Sequence, residues 1–169
     1  MLVFRKALDR VLIVICVVLF IEMTIVGSYQ IITRYFFNSP STISEELVTY
    51  SFTWLSILSA AYVVGKRGHL AMAFFVNKFK GKSRVFLDMF SEVLIVGTAV
   101  LLLIYGGYVM ALENSSQLTA SLGISMGLMY TVLPLSGVLM SLYALLNIVD
   151  LLKVLKSPDV DNYAGNLAS

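Results

Sequence analysis

The sequence predicts an all-α integral membrane protein, with four transmembrane helices and a short amphipathic interfacial helix in the loop between helices two and three. Three observations predict it. Of 169 residues, 59% are hydrophobic and 13% charged, with a mean hydropathy of +0.88; a soluble domain of this length needs far more charge to cover its surface. Four stretches reach the ~20 apolar residues that a helix needs to cross ~30 Å of hydrocarbon. The lysines and arginines gather in alternate connections.

The first span is expected over about 11–33. Arg5, Lys6 and Arg10 precede it, as in a signal peptide, but the apolar run continues past Glu22 and no small-x-small cleavage site closes it. It is read as a retained helix. Cys16 follows the bulky Ile15, which disfavours lipidation, and as the only cysteine it excludes an internal disulfide and a cysteine-based metal site. The second span, about 47–65, is weaker because it carries Thr49, Ser51, Thr53, Ser56 and Ser59; Ser44 or Thr42 is its expected N-cap. The third covers about 85–112. The fourth covers about 126–152 and contains Pro134, which removes a backbone hydrogen bond and predicts a kink. The whole chain, 1–169, is expected to be one membrane domain.

The cations fix an orientation. Arg5, Lys6 and Arg10 lie before the first span; Lys66, Arg67, Lys78, Lys80, Lys82 and Arg84 between the second and third; Lys153 and Lys156 at the end. The other two connections hold only Arg34. The positive-inside rule places both termini and the middle loop in the cytoplasm. Within that loop, over about 70–80, Met72, Phe75, Val76 and Phe79 share a helical face, so this piece is expected to lie in the headgroup region. Its lysines favour anionic membrane lipids by ~1 kcal/mol each.

Glu22 is the sharpest polar feature, because a carboxylate near the middle of a span costs ~2.5–3.5 kcal/mol on insertion scales. Tyr29 and Thr33 fall within ~20° of its face. It reads as an intramembrane polar contact, hydrogen-bonded to Ser56 or Ser59 of helix two, or else as a proton or cation site. Glu45 and Glu46 complement the positive end of helix two or form a docking patch with Arg34. Asp88, Glu92 and His69 have no metal-ligand spacing. His69 is the only histidine, which excludes bis-histidine haem ligation and a nucleophile–base–orienter set; it reads as a polar anchor, and Trp54 as a packing or interface residue. Ser56 with Ala60, and Gly107 with Ala111, are four-apart small pairs that permit close helix approach, within the chain or to a partner.

The run Arg34-Tyr35-Phe36-Phe37-Asn38-Ser39-Pro40, then Ser44-Glu45-Glu46, Phe52-Thr53-Trp54, Ala60-Ala61 and Lys66-Arg67-Gly68-His69 resembles the small membrane subunit, the DctQ or Q-type component, of tripartite ATP-independent periplasmic (TRAP) transporters. Two positions depart from the family pattern: Ile43 stands where many members have tryptophan, and Ala73 where many have aspartate. The resemblance implies an accessory scaffold in a bacterial inner membrane. A large multi-helix subunit would carry the substrate and sodium sites, and a periplasmic solute-binding protein would deliver an organic acid, such as a C4-dicarboxylate or sialic acid. It also implies structural or docking roles for Arg34, Glu45 and Glu46, and marks Arg67 and His69 at the cytoplasmic end of helix two. No catalytic residue, cofactor or nucleic-acid partner is expected. The alternatives are a four-helix proton-coupled exporter using Glu22, and a tetraspan adaptor without a transport role.

Overall fold

The computed structural model describes residues 2–66 and 82–155, with side chains from Arg5 in the first helix and from Ser83 in the third span. The expected interfacial helix at 70–80, Arg67 and His69 lie outside the described residues. Helix α1 runs over Leu2–Phe36 and α2 over Thr42–Gly65. Helix α3, Lys82–Thr98, passes through a π-helical stretch, Ala99–Gly106, into α4, Gly107–Glu113. Helices α5, Met126–Tyr130, and α6, Val132–Leu155, complete the chain. Together they form four spans long and apolar enough to cross a membrane: Arg5–Phe36, Thr42–Gly65, Ser83–Glu113 and Met126–Leu155. The start of α1 and the end of α6 mark the proximal end of the bundle. The turn after α1 and the loop at 114–125 mark the distal end.

Helix α1 begins at Leu2, ahead of the apolar run expected from about 11, and its first turns carry Arg5 and Asp9, which bind polar groups inside the bundle. It ends at a motif legible in the sequence. Asn38 takes a left-handed conformation, φ 47°, which asparagine tolerates better than most residues. The Ser39 amide donates back to the Thr33 carbonyl at 3.1 Å, satisfying a carbonyl in the last turn of the helix. Pro40 cannot continue the helix. The N-cap of α2 is then Ser41, not Ser44 or Thr42: its hydroxyl accepts from the Ser44 amide and lies 2.9 Å from the Ser44 hydroxyl. Helix α2 accordingly starts at Thr42, a few residues before the expected caps would place it.

Helix α1 packs on α2, and α6 packs on both α2 and the third span. The core holds Leu12, Leu58, Val64, Val132 and Tyr143, bordered by Leu8, Cys16 and Leu19. Val85 and Leu151 form a second buried contact. The fourth span is interrupted at Thr131, where α5 ends, three residues before Pro134. Pro134 has no N–H to offer the Tyr130 carbonyl, so the ladder fails one turn upstream of it. The Thr131 hydroxyl donates to the Leu128 carbonyl at 2.6 Å and occupies an acceptor at the break. Beside the π-helical stretch, a Cβ on Gly137 would stand 2.8 Å from Leu103 Cβ and Ile104 Cγ1. Only a glycine permits this approach of α6 to the third span.

Candidate functional site

A polar network joins all four spans at the proximal end. Tyr143 and Asn147 lie one turn apart on α6, both fully buried. The Tyr143 hydroxyl donates to Asp9 at 2.6 Å, and the Lys66 ammonium, just past α2, donates to the same carboxylate at 2.8 Å. Asn147 donates to the Val64 carbonyl at 3.2 Å and to Glu92 of α3 at 2.9 Å. Arg5 donates to Asn147 Oδ1 at 3.0 Å and to the Gly65 carbonyl, and meets Asp150 at 3.5 Å. A cation at the last carbonyls of α2 sits at the negative end of that helix dipole.

Burying these groups costs free energy unless each finds a partner, so the network specifies one arrangement of the spans rather than adding large net stability. Lys66 extends over the Tyr62 ring, 5.4 Å from its centroid. Its pKa is raised, first by the hydrogen bond to Asp9. That linkage adds stability below the ordinary lysine pKa and loses it as pH rises through the raised value, so it is fully present at neutral pH.

Glu46 forms a second clamp at the distal end. Its carboxylate accepts three backbone N–H groups of the loop: Ala120 at 3.1 Å, Ser121 at 2.8 Å and Leu122 at 2.8 Å. Tyr50, one turn along α2, approaches the same carboxylate at 3.5 Å. The loop is preshaped to present those amides. Thr119 donates to the Ile124 carbonyl at 2.8 Å, its hydroxyl accepts from the Ile124 amide at 3.1 Å, and Gly123 turns the chain with φ 65°. Two turns further along α2, the Trp54 indole donates to the Met129 carbonyl at 3.1 Å, near the Thr131 break. Helix α2 therefore holds both the loop and the start of the fourth span.

The adjacent glutamates differ. Glu45 is exposed, as is Arg34, and among the described residues neither side chain has a hydrogen-bond or ion-pair partner. Arg34 forms no ion pair with Glu45 or Glu46, and the Glu46 carboxylate is taken up by the loop. Glu22 makes no hydrogen bond to Ser56 or Ser59. Both its carboxylate oxygens are shielded and lack a partner, while Ser59 lies 3.6 Å from Cys16 Sγ. Glu22 borders a shallow cavity of about 350 Å³ with Val18, Ile21, Ile25 and Val26, all on α1.

Sequence reasoning missed the proximal network. Its signal was present: Asp9 one turn after Arg5, and Asn147 within an apolar run. Among the described residues no group of three His, Cys, Asp or Glu is placed to hold a metal. The arrangement ties helices together.

The family model described as "Tripartite ATP-independent periplasmic transporters, DctQ component" matches residues 23–154. The chain is 31% identical over 154 residues to the sialic acid TRAP transporter small permease protein SiaQ of Vibrio cholerae, covering 89% of this chain and 87% of that one. It is 25% identical to a putative TRAP transporter small permease protein of Haemophilus influenzae, covering 79% and 83%. It is also 32% identical over 111 residues to the sialic acid TRAP transporter permease protein SiaT of Haemophilus influenzae, covering 66% of this chain but 18% of that longer one. A match across most of the chain, on four membrane-crossing helices, makes this multi-pass inner-membrane protein a member of the DctQ family of tripartite ATP-independent periplasmic transporter components.

Proposed function

We propose that the chain is the scaffold subunit of a sodium-coupled secondary transporter that imports an organic acid, sialic acid in the first instance. One observation carries this reading. Polar side chains hold the helices together at both ends of the bundle, Asp9, Lys66, Tyr143 and Asn147 at one and Glu46 at the other, with Trp54 fastening α2 to the fourth span. A body fixed at both ends gives a moving transport domain something rigid to work against. The substrate and sodium sites then belong to a large multi-helix subunit, and a periplasmic solute-binding protein delivers the solute. The relative SiaT supports the pairing, since the stretch matching this chain is a small part of that permease. The cation distribution supports cytoplasmic termini, with the proximal end inside and the Glu46 clamp in the periplasm. The chain has no enzymatic role in this reading.

Reconstitution tests it. The chain, the large permease subunit and the solute-binding protein are placed in proteoliposomes, and labelled sialic acid uptake is followed under an inward sodium gradient. Uptake that requires all three proteins and the gradient is expected. Transport by this chain alone, or full uptake without it, would refute the scaffold role. Uptake of a C4-dicarboxylate in place of sialic acid would overturn the substrate.

A further inference from the structure

We infer that the outward face shared by α1 and α2, centred on Glu22, Ser56 and Ala60, is the surface that docks the large permease subunit, and that this subunit supplies a hydrogen-bond donor to Glu22. The inference rests on the scaffold reading above. Four observations lead to it.

First, Glu22 is the acidic group within the membrane-crossing part of α1 whose two shielded oxygens find no donor in the chain. Nearby hydroxyls on its own helix are occupied: Thr24 donates to the Phe20 carbonyl and Ser28 to the Thr24 carbonyl. Lipid hydrocarbon offers no donor either.

Second, the two helices turn these residues to one side. Asp9 of α1 reaches Tyr143 of α6, and Glu22 lies about 140° round the helix from Asp9. On α2, Gly65 abuts the Tyr143 ring, and Ser56 lies about 180° round from Gly65. Both faces therefore point away from α6, the element at the middle of the bundle.

Third, the structure separates the two small-residue pairs. Gly107 and Ala111 are used within the chain: a Cβ on Gly107 would meet Leu133 and Pro134, and the Ala111 carbonyl abuts Gly127. Ser56 and Ala60 remain exposed, continued by exposed Thr49 and Thr53 whose hydroxyls donate to their own helix carbonyls. This strip would let a partner helix approach closely. The outward face of the third span instead shows bulky Phe86, Phe90, Leu101 and Tyr105, suited to lipid.

Fourth, the Glu22 stripe continues distally through Tyr29 and Thr33 into a cleft of about 570 Å³ between α1 and the start of α2, which Thr42 and Ile43 also line. A polar stripe, a small-residue strip and a cleft on one side fit a helix of a membrane partner that carries a donor.

The test uses the full complex in native membranes. Photoreactive benzoylphenylalanine is placed at Val18 or Ser56 on the proposed face, and at Leu101 or Tyr105 on the opposite one. Adducts are identified by mass spectrometry. Adducts with the large permease subunit from positions 18 and 56, and none from 101 and 105, are expected. In parallel, Glu22→Leu and Glu22→Gln chains are used to co-purify that subunit in mild detergent. Leucine removes a buried carboxylate and should leave the isolated chain at least as stable to heat, yet lower recovery of the partner about ten-fold. Glutamine retains an acceptor oxygen and should stay within about two-fold of the parent. Adducts from 101 and 105 alone, adducts only with a second copy of this chain, or undiminished recovery with Glu22→Leu would overturn the inference while the scaffold reading stands. Failure of the unsubstituted chain to co-purify any large permease subunit would overturn both.

Discussion

Replacing Glu46 by alanine should unfasten the distal loop without unfolding the bundle. The carboxylate accepts three backbone amides, from Ala120, Ser121 and Leu122, at 2.8–3.1 Å. A hydrogen bond to a charged group contributes ~1.5–3 kcal/mol net, but these amides are only partly shielded and water would replace part of the loss, so the total is about 2–3 kcal/mol. At ~1.4 kcal/mol per factor of ten, the opening constant of the loop rises about 30- to 150-fold. Amide hydrogen exchange on the detergent-solubilised protein reads this directly, residue by residue. The three amides should lose protection by that factor, and the Thr119 amide, bonded across the loop to Ile124, should loosen with them. Amides of α1, such as those around Leu12, should not change. Glu45→Ala is the matched control, because its side chain is exposed and lacks a partner among the described residues; it should leave exchange within about two-fold. Unchanged exchange in Glu46→Ala, or an equal rise in both variants, would refute the clamp.

Two further outcomes concern the proximal network and the helix contact beneath it. Tyr143→Phe removes the donor to Asp9 and leaves a buried carboxylate one hydrogen bond short, so it should lower stability to denaturant by about 1–3 kcal/mol; a loss under half a kilocalorie would show that the bond contributes little. Gly65→Ala puts a Cβ 2.7 Å from the Tyr143 ring, forcing α2 and α6 apart at a cost of about 1–3 kcal/mol, and a melting temperature equal to that of the parent would contradict the packing.

The sequence determined the class of solvent, the number of spans and the sites of the turns. Composition and four long apolar runs leave little freedom once lipid must surround the chain, since helices satisfy their own backbone groups. Asn38 and Pro40 shape the first turn by local stereochemistry, a signal that the apolar-run reading did not use. Helix ends were less legible. The start of α1 at Leu2 and the cap at Ser41 depend on which polar groups find partners, not on apolar length.

What each polar residue does was settled only by the tertiary structure. Glu45 and Glu46 read alike in sequence, yet a helix turns neighbours ~100° apart, and only Glu46 faces amides that lie more than seventy residues away. Tyr143 looks like an ordinary member of an apolar span, and Asn147 shows only that some partner is needed, until three other helices supply those partners. Ser56–Ala60 and Gly107–Ala111 are equivalent as spacings, and packing alone decides which pair is used inside the chain. The hydrophobic pattern sets which segments cross the membrane because each segment meets lipid by itself. The pairing of polar groups is a long-range property, fixed when the helices come together.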